Sequence, residues 1–207
     1  MADLDDPDLS GLNGAGPWPA AAWEAAFAPY DEGTYADALA YLRADDVVVD
    51  IGAGDLRFAR RAAAGCRRVY AIERRADLLR RGLQGEYPPS LTVICADALT
   101  LPVPPGVTVG VLLMRHCRHF REYAAKLAAA GARRLVTNAR WGLGVECVDL
   151  AQPRGVYAAD LGWYACACGA VGFAPGAADP WNGDPLAPAS EVAACPQCAG
   201  SAEMESA

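Results

Sequence analysis

The sequence predicts an α/β domain built on a doubly wound, mostly parallel sheet, with a small cysteine-held segment behind it. Three observations carry that prediction. Short apolar, β-branched runs alternate with helix-length stretches from residue 47 to 138, the order that strand–helix–strand crossovers produce. The first run breaks at two glycines one residue apart, Gly52-Ala53-Gly54. Past residue 155 the alternation stops, and four cysteines arrive as two close pairs, Cys166/Cys168 and Cys195/Cys198.

Taken in chain order, residues 1–19 hold four aspartates and then a Gly/Asn/Pro-rich run, the composition of a disordered tail. Residues 20–27 and 34–42 read as short helices, with Tyr35, Leu39 and Leu42 at helical spacing on a face that meets the sheet. Val47–Ile51 is apolar enough for a strand buried on both faces. The glycine turn follows, and Asp55 suits an N-cap for a helix over residues 56–64 that Gly65 stops. Residues 67–72 form a second strand ending at Glu73. Further strands are expected over 91–96, 107–114 and 133–138, with helices over 76–82 and 120–130; late strands are expected over 145–150 and 156–160.

Parallel strands joined by such crossovers bind ligands at their carboxyl ends. A dinucleotide site places a third glycine where this chain has Arg57, and no Gly-Lys-Ser/Thr phosphate loop follows the turn. An acid at the end of the second strand suits paired ribose hydroxyls and repels a 2′-phosphate. The expected ligand is therefore a nucleoside-containing molecule without a demanding phosphate.

Asp50-Ile51-Gly52-Ala53-Gly54-Asp55 resembles motif I of the class I S-adenosylmethionine-dependent methyltransferases: an acid, any residue, Gly, any residue, Gly. Glu73 falls where that family keeps its ribose-binding acid, and Cys95-Ala96-Asp97-Ala98-Leu99 resembles the later motif whose acid sits by the adenine amino group. The resemblance spans roughly residues 30–140. It implies a Rossmann-like fold and S-adenosylmethionine as cofactor, with Asp50, Gly52, Gly54 and Asp55 on the methionine side, Glu73 on the ribose and Asp97 by the adenine. It also offers Tyr30 or Tyr35 as an aromatic at the pocket edge. Many members carry another glycine just after the turn, where this chain has Leu56.

A chain of 207 residues, 53% hydrophobic, accommodates one ordinary domain and a small appendage. The divisions read from the sequence are a tail over 1–19, a cofactor-binding domain over 20–150, and a zinc-ribbon-like module over 151–207. No run of eighteen apolar residues suggests a membrane span, and the acidic N-terminus lacks the order of a signal peptide. A cytoplasmic location is expected, so the eight cysteines are expected to be reduced thiols or metal ligands. The net charge of −7 is unevenly spread: residues 1–42 and 155–207 contain no Lys or Arg, so all eighteen bases lie in 43–154. Acidic flanks argue against a surface that tracks duplex or long nucleic acid, and for a locally anionic methyl acceptor of unknown class.

Acceptor-side candidates follow strands at the carboxyl edge. His116 and His119 lie in Arg115-His116-Cys117-Arg118-His119, where an imidazole can orient or deprotonate a nucleophile; a helix-capping role or a metal site including Cys117 are the alternatives. Thr137-Asn138-Ala139-Arg140-Trp141 faintly resembles the Asn-Pro-Pro-aromatic motif of amino-group methyltransferases of nucleic acids, without its prolines and one strand later. His116, Asn138 and Arg140 are thus the candidates for catalytic work.

Cys166, Cys168, Cys195 and Cys198 supply four thiolates, the donor set of tetrahedral structural zinc, in turns that contain Gly169 and Pro196. An iron centre in the same cage, or unliganded thiols, are the alternatives. Four prolines between the pairs leave little regular structure to bury a core, and a metal would supply the missing cohesion. Cys66, Cys95, Cys117 and Cys147 read as ordinary core residues. The functional expectation is a methyltransferase with a structural zinc. Its rivals are a non-catalytic cofactor-binding protein using the zinc module for partner contact, and a nucleotide-dependent oxidoreductase, which Arg57 disfavours.

Overall fold

A computed structural model of the chain describes residues 32–84, 86–115, 117–140, 144–177 and 189–198. The expected tail over 1–19, the helix over 20–27, Tyr30, His116 and Trp141 lie outside the described residues.

The chain runs α1 (Glu32–Ala40), β1 (Val47–Ile51), α2 (Arg57–Gly65), β2 (Arg68–Glu73), α3 (Ala76–Gly82), β3 (Leu91–Cys95), β4 (Val109–Leu112), α4 (Phe120–Ala129), β5 (Arg134–Thr137) and β6 (Glu146–Asp149). Three short strands follow: β7 (Trp163–Cys166), β8 (Val171–Phe173) and β9 (Ser190–Val192). The first six strands form one sheet in the order β3-β2-β1-β4-β5-β6, parallel except for β6, which runs antiparallel to β5. The fold is Rossmann-like. The chain leaves β1 for β2 on one side and later returns to β4 on the other, so the strand order reverses between β1 and β4. There the loops at the carboxyl ends diverge and a crevice opens.

Helices cover both faces, which is why the strands read as unbroken apolar runs. Adjacent residues of β1 face opposite ways. Val48 packs with Tyr35, Phe58, Ala59 and Ala62 under α1 and α2, whereas Val49 packs with Phe120, Tyr123 and Leu127 under α4. The expected face of α1 is the one buried, with Leu39 and Leu42 at the margin of the same cluster. At the amino edge, Arg134 donates to both oxygens of Asp46 at 2.6 and 2.8 Å.

Two expectations are corrected. The segment 156–160 is no strand; only Gly155 makes a bridge, to Val192. The late segment does hold regular structure: β7 is flanked by antiparallel β8 and parallel β9 in a second, three-stranded sheet. Its buried cluster is Tyr164, Cys166, Val192 and Cys195, too small to show as a periodic pattern.

Candidate cofactor site and metal centre

The glycine turn lies at the carboxyl end of β1, beside β4. Gly52 and Gly54 both adopt the left-handed region, with φ of 73° and 56°, which glycine enters without steric cost. A Cβ on Gly52 would meet the Met114 sulfur at 3.0 Å, so the Met114 side chain packs closely on the turn. The amides of Gly52 and Ala53 both donate to Ile72 O, at 2.9 and 3.1 Å. The Gly54 amide donates to Glu73 Oε2 at 3.1 Å. Those donors are spent inside the protein, whereas a phosphate loop aims its amides at the ligand. The turn is built for an uncharged or cationic ligand group.

Asp50 is 3% exposed, and its Oδ2 has no hydrogen-bond partner among the described residues. Burial, and then the nearby Glu73 charge, push its carboxyl up to about 7. Glu73 ends β2 with its carboxylate held open: Oε2 accepts from Gly54 N, and Oε1 accepts from Arg75 N at 2.8 Å. Each oxygen keeps a lone pair for a further donor. Asp97 closes a turn after β3 by accepting from Leu99 N at 2.9 Å. Lys126 clamps that turn from α4, donating to Ala98 O and Leu99 O at 2.7 Å each. The sequence offered one signal for it, as the sole lysine among eighteen bases.

The cap of α2 differs from expectation. Leu56, not Asp55, is the N-cap, and its φ is 67°. Leu56 therefore occupies the left-handed conformation for which the resembling family supplies a glycine. Full burial against α2 and α3 holds it there, against a cost of about 1–2 kcal/mol. Asp55 instead accepts from Arg57 N at 3.3 Å and pairs with Arg57 Nε at 2.7 Å.

On the acceptor side, His119 is the N-cap residue of α4 and makes no side-chain cap bond. Its ring stands edge-on to Tyr123 at 6.5 Å. Asn138 follows β5 and is 5% exposed, with neither amide atom partnered among the described residues. Arg140 takes a different part from the one expected of it. At 2% exposure, its guanidinium lies against Glu146 of β6, Glu191 of β9 and the Phe120 ring, 5.7 Å from the ring centre. It is a joint between the two sheets: Glu146 and Glu191 hold Nε and Nη2, and Nη1 has no hydrogen-bond partner among the described residues.

The four cysteines named from the sequence converge. Their sulfurs all lie within 4.8 Å of one another. Cys166 and Cys198 are 3.6 Å apart, Cys168 and Cys195 3.8 Å, and Cys195 and Cys198 3.9 Å. These separations are too long for disulfides. They match the edge of about 3.8 Å that Zn–S bonds of about 2.3 Å give a tetrahedron. One pair lies at the turn after β7, where Gly169 takes φ of 96°; the other lies in a turn after β9. Burial pushes the Cys198 thiol up, but hydrogen bonds from the Cys195 backbone and the neighbouring thiols outweigh it and hold it at about 7. The donor set fits a tetrathiolate metal. It is the one potential metal-holding cluster among the described residues.

No family model matches the chain, and no curated protein matches it. Solved structures similar to it include an S-adenosylmethionine-dependent methyltransferase from Mesorhizobium loti (21% identity, TM-score 0.44, covering 52% of this chain and 53% of that one). Another is a dimethyladenosine transferase from Plasmodium falciparum (18%, 0.45, 52% and 41%). A third is precorrin 8W decarboxylase from Methanobacterium thermoautotrophicum (22%, 0.47, 53% and 63%). The chain thus spans between two fifths and just under two thirds of these proteins. No helix among the described residues is long and apolar enough to cross a membrane.

Proposed function

We propose that the chain is an S-adenosylmethionine-dependent methyltransferase whose cofactor lies across the carboxyl ends of β1, β2 and β3, and that its four-cysteine cage holds a structural zinc. The observation that carries this reading is Glu73. It is a carboxylate at the end of β2, oriented by two backbone amides, 7% exposed, and joined through Gly54 N to a turn that offers no phosphate donors. Two ribose hydroxyls suit its remaining lone pairs. Asp97, in a turn fixed by Lys126, suits an adenine amino group. Asp50, buried with an unpartnered oxygen, suits the ammonium of the methionine portion.

The cofactor supplies an electrophilic methyl group on a sulfonium. The protein's task is to align an acceptor lone pair with it and to exclude water. The residues assigned to that task are His116, as the group that takes or orients the acceptor proton, and Asn138, whose free amide can hold a planar donor–acceptor edge. Residues 20–150 are assigned to the cofactor domain and 151–207 to the zinc module. Cysteines that form no disulfide suit a reducing compartment, the cytoplasm. The acceptor is a locally anionic group rather than a long nucleic acid.

Titration calorimetry with S-adenosylhomocysteine tests the reading. Wild-type protein is expected to bind, and Glu73→Gln to bind about 1.5–3 kcal/mol more weakly, the range for a hydrogen bond to a charged group. Absence of binding by wild-type protein overturns the cofactor assignment, and undiminished binding by a folded Glu73→Gln overturns the residue's role.

A further inference from the structure

The zinc module is short of charge. Four thiolates around one zinc carry a net charge of −2, and residues 155–207 contain no Lys or Arg to balance it. A cation must come from elsewhere in the chain, and one does. Arg121, in the first turn of α4, places Nη2 at 3.1 Å from Cys198 Sγ. The preceding residue makes the neighbouring contact: a Cβ on Gly169 would stand 3.1 Å from Phe120 Cβ, so the first cysteine turn lies directly on α4. The cage therefore rests against the start of a helix of the large sheet, where free amide dipoles also favour negative charge.

We propose that Arg121 is an outer-shell cation of the metal site, so that metal binding and the docking of the small sheet onto α4 are one event. This rests on reading the four sulfurs as a zinc cage. A guanidinium that donates to a coordinating sulfur draws off part of its negative charge and fixes its orientation, and such outer partners tune metal affinity by about 10–100-fold. Here the strongest donor belongs to the other sheet, so the segment 163–198 does not carry a complete metal site. In the opposite direction, loaded metal holds Arg121 and Phe120, and with them the start of α4 just behind residues 117–119.

The test uses the full chain and zinc itself. Arg121 is exposed, so its replacement leaves the core of the large sheet intact. Zinc affinity is read by competition with a chromogenic chelator for wild type, Arg121→Gln and Arg121→Lys. Cobalt absorption in the same proteins reports whether a four-sulfur tetrahedron still forms. Arg121→Gln is expected to keep the tetrahedral spectrum and lose 10–100-fold in zinc affinity. Arg121→Lys, which keeps the charge but not the fork, should recover part of the loss. Removing zinc from wild-type protein is expected to speed amide exchange at Tyr123 and Ala124, whose helical bonds begin α4. Wild-type affinity in Arg121→Gln, or exchange in α4 that ignores the metal, overturns the proposal. Failure of wild-type protein to bind zinc or cobalt at all overturns the cage reading beneath it.

Discussion

The two sheets of this protein are held together by different physics. The six-stranded sheet is covered on both faces, and its clusters around Val48 and Val49 include most of the buried residues. Dropping any one of those contacts leaves many others. The three-stranded sheet buries Tyr164, Cys166, Val192 and Cys195 and little else. Two of those four are cysteines of the four-sulfur cluster, so its core and its proposed metal site are largely the same atoms. What the small sheet lacks in apolar area is made up by sulfur geometry and by charges that reach it from the large one. Arg140 and Arg121 both belong to the large sheet's region and both end on groups of the small one. A sheet too small to bury itself is cohesive only where it is anchored.

If the four cysteines hold zinc as proposed, the comparison breaks most visibly when that metal is removed. Chelation, or Cys195→Ser, is expected to abolish stoichiometric zinc and deprotect residues 163–198 while β1–β5 stay protected, as read by hydrogen exchange. The metal is worth about 10 kcal/mol or more in small zinc modules, far more than a four-residue cluster can supply. Intact protection of β7 and β9 in chelated protein would show that apolar packing suffices.

Next in size is Arg140. Arg140→Ala leaves Glu146 without its partner and Glu191 with only Arg154, whose Nε lies at 3.6 Å. Removing one side of a buried pair costs about 3–5 kcal/mol, which urea denaturation would read as a lowered midpoint with the small sheet loosening first. A loss below about 1 kcal/mol would mean that the joint behaves as a surface ion pair.

Per pH unit the smallest effect sharpens the large sheet's side of the comparison. Asp50 titrates at about 7 in the cofactor-free protein, because burial and Glu73 disfavour its charge. Its folded pKa lies above the unfolded value of 3.8, so the folded state binds the extra proton between them. Stability is then expected to fall as pH rises from about 4 to 7, by at most ~1.4 kcal/mol per pH unit. Asp50→Asn should flatten that slope in pH-dependent thermal denaturation. An unchanged slope would show that Asp50 is solvated in solution.

Much of the large sheet was legible because its signals are local. Apolar runs marked β1–β5 to within two residues at either end, and the glycine turn with Glu73 located the crevice. Asp55 misled as a cap because Leu56 intervenes in a conformation that its side chain gives no hint of. The small sheet was less legible: strands of three or four residues carry no period, and only the cysteine spacing announced that the segment folds. Arg140 looked like a free cation because one partner, Glu191, is 51 positions away and the other, Glu146, faces it only once β6 has turned back beside β5. Arg121 was hidden for the same reason, on a helix whose first turn is otherwise unremarkable in sequence.

Leu56 has a consequence for how the protein reaches this state. A leucine in an unfolded chain seldom visits positive φ, whereas a glycine at the same place would visit it freely. Its side chain is stabilised there only once α2 and α3 have closed around it, and Gly82 lacks a Cβ because Asp55 O would lie 2.3 Å from it. The cofactor turn is therefore expected to set late in folding, after the helices dock rather than before. Once set, it has few alternatives, so the turn is expected to hold one shape whether or not a molecule is bound beside it.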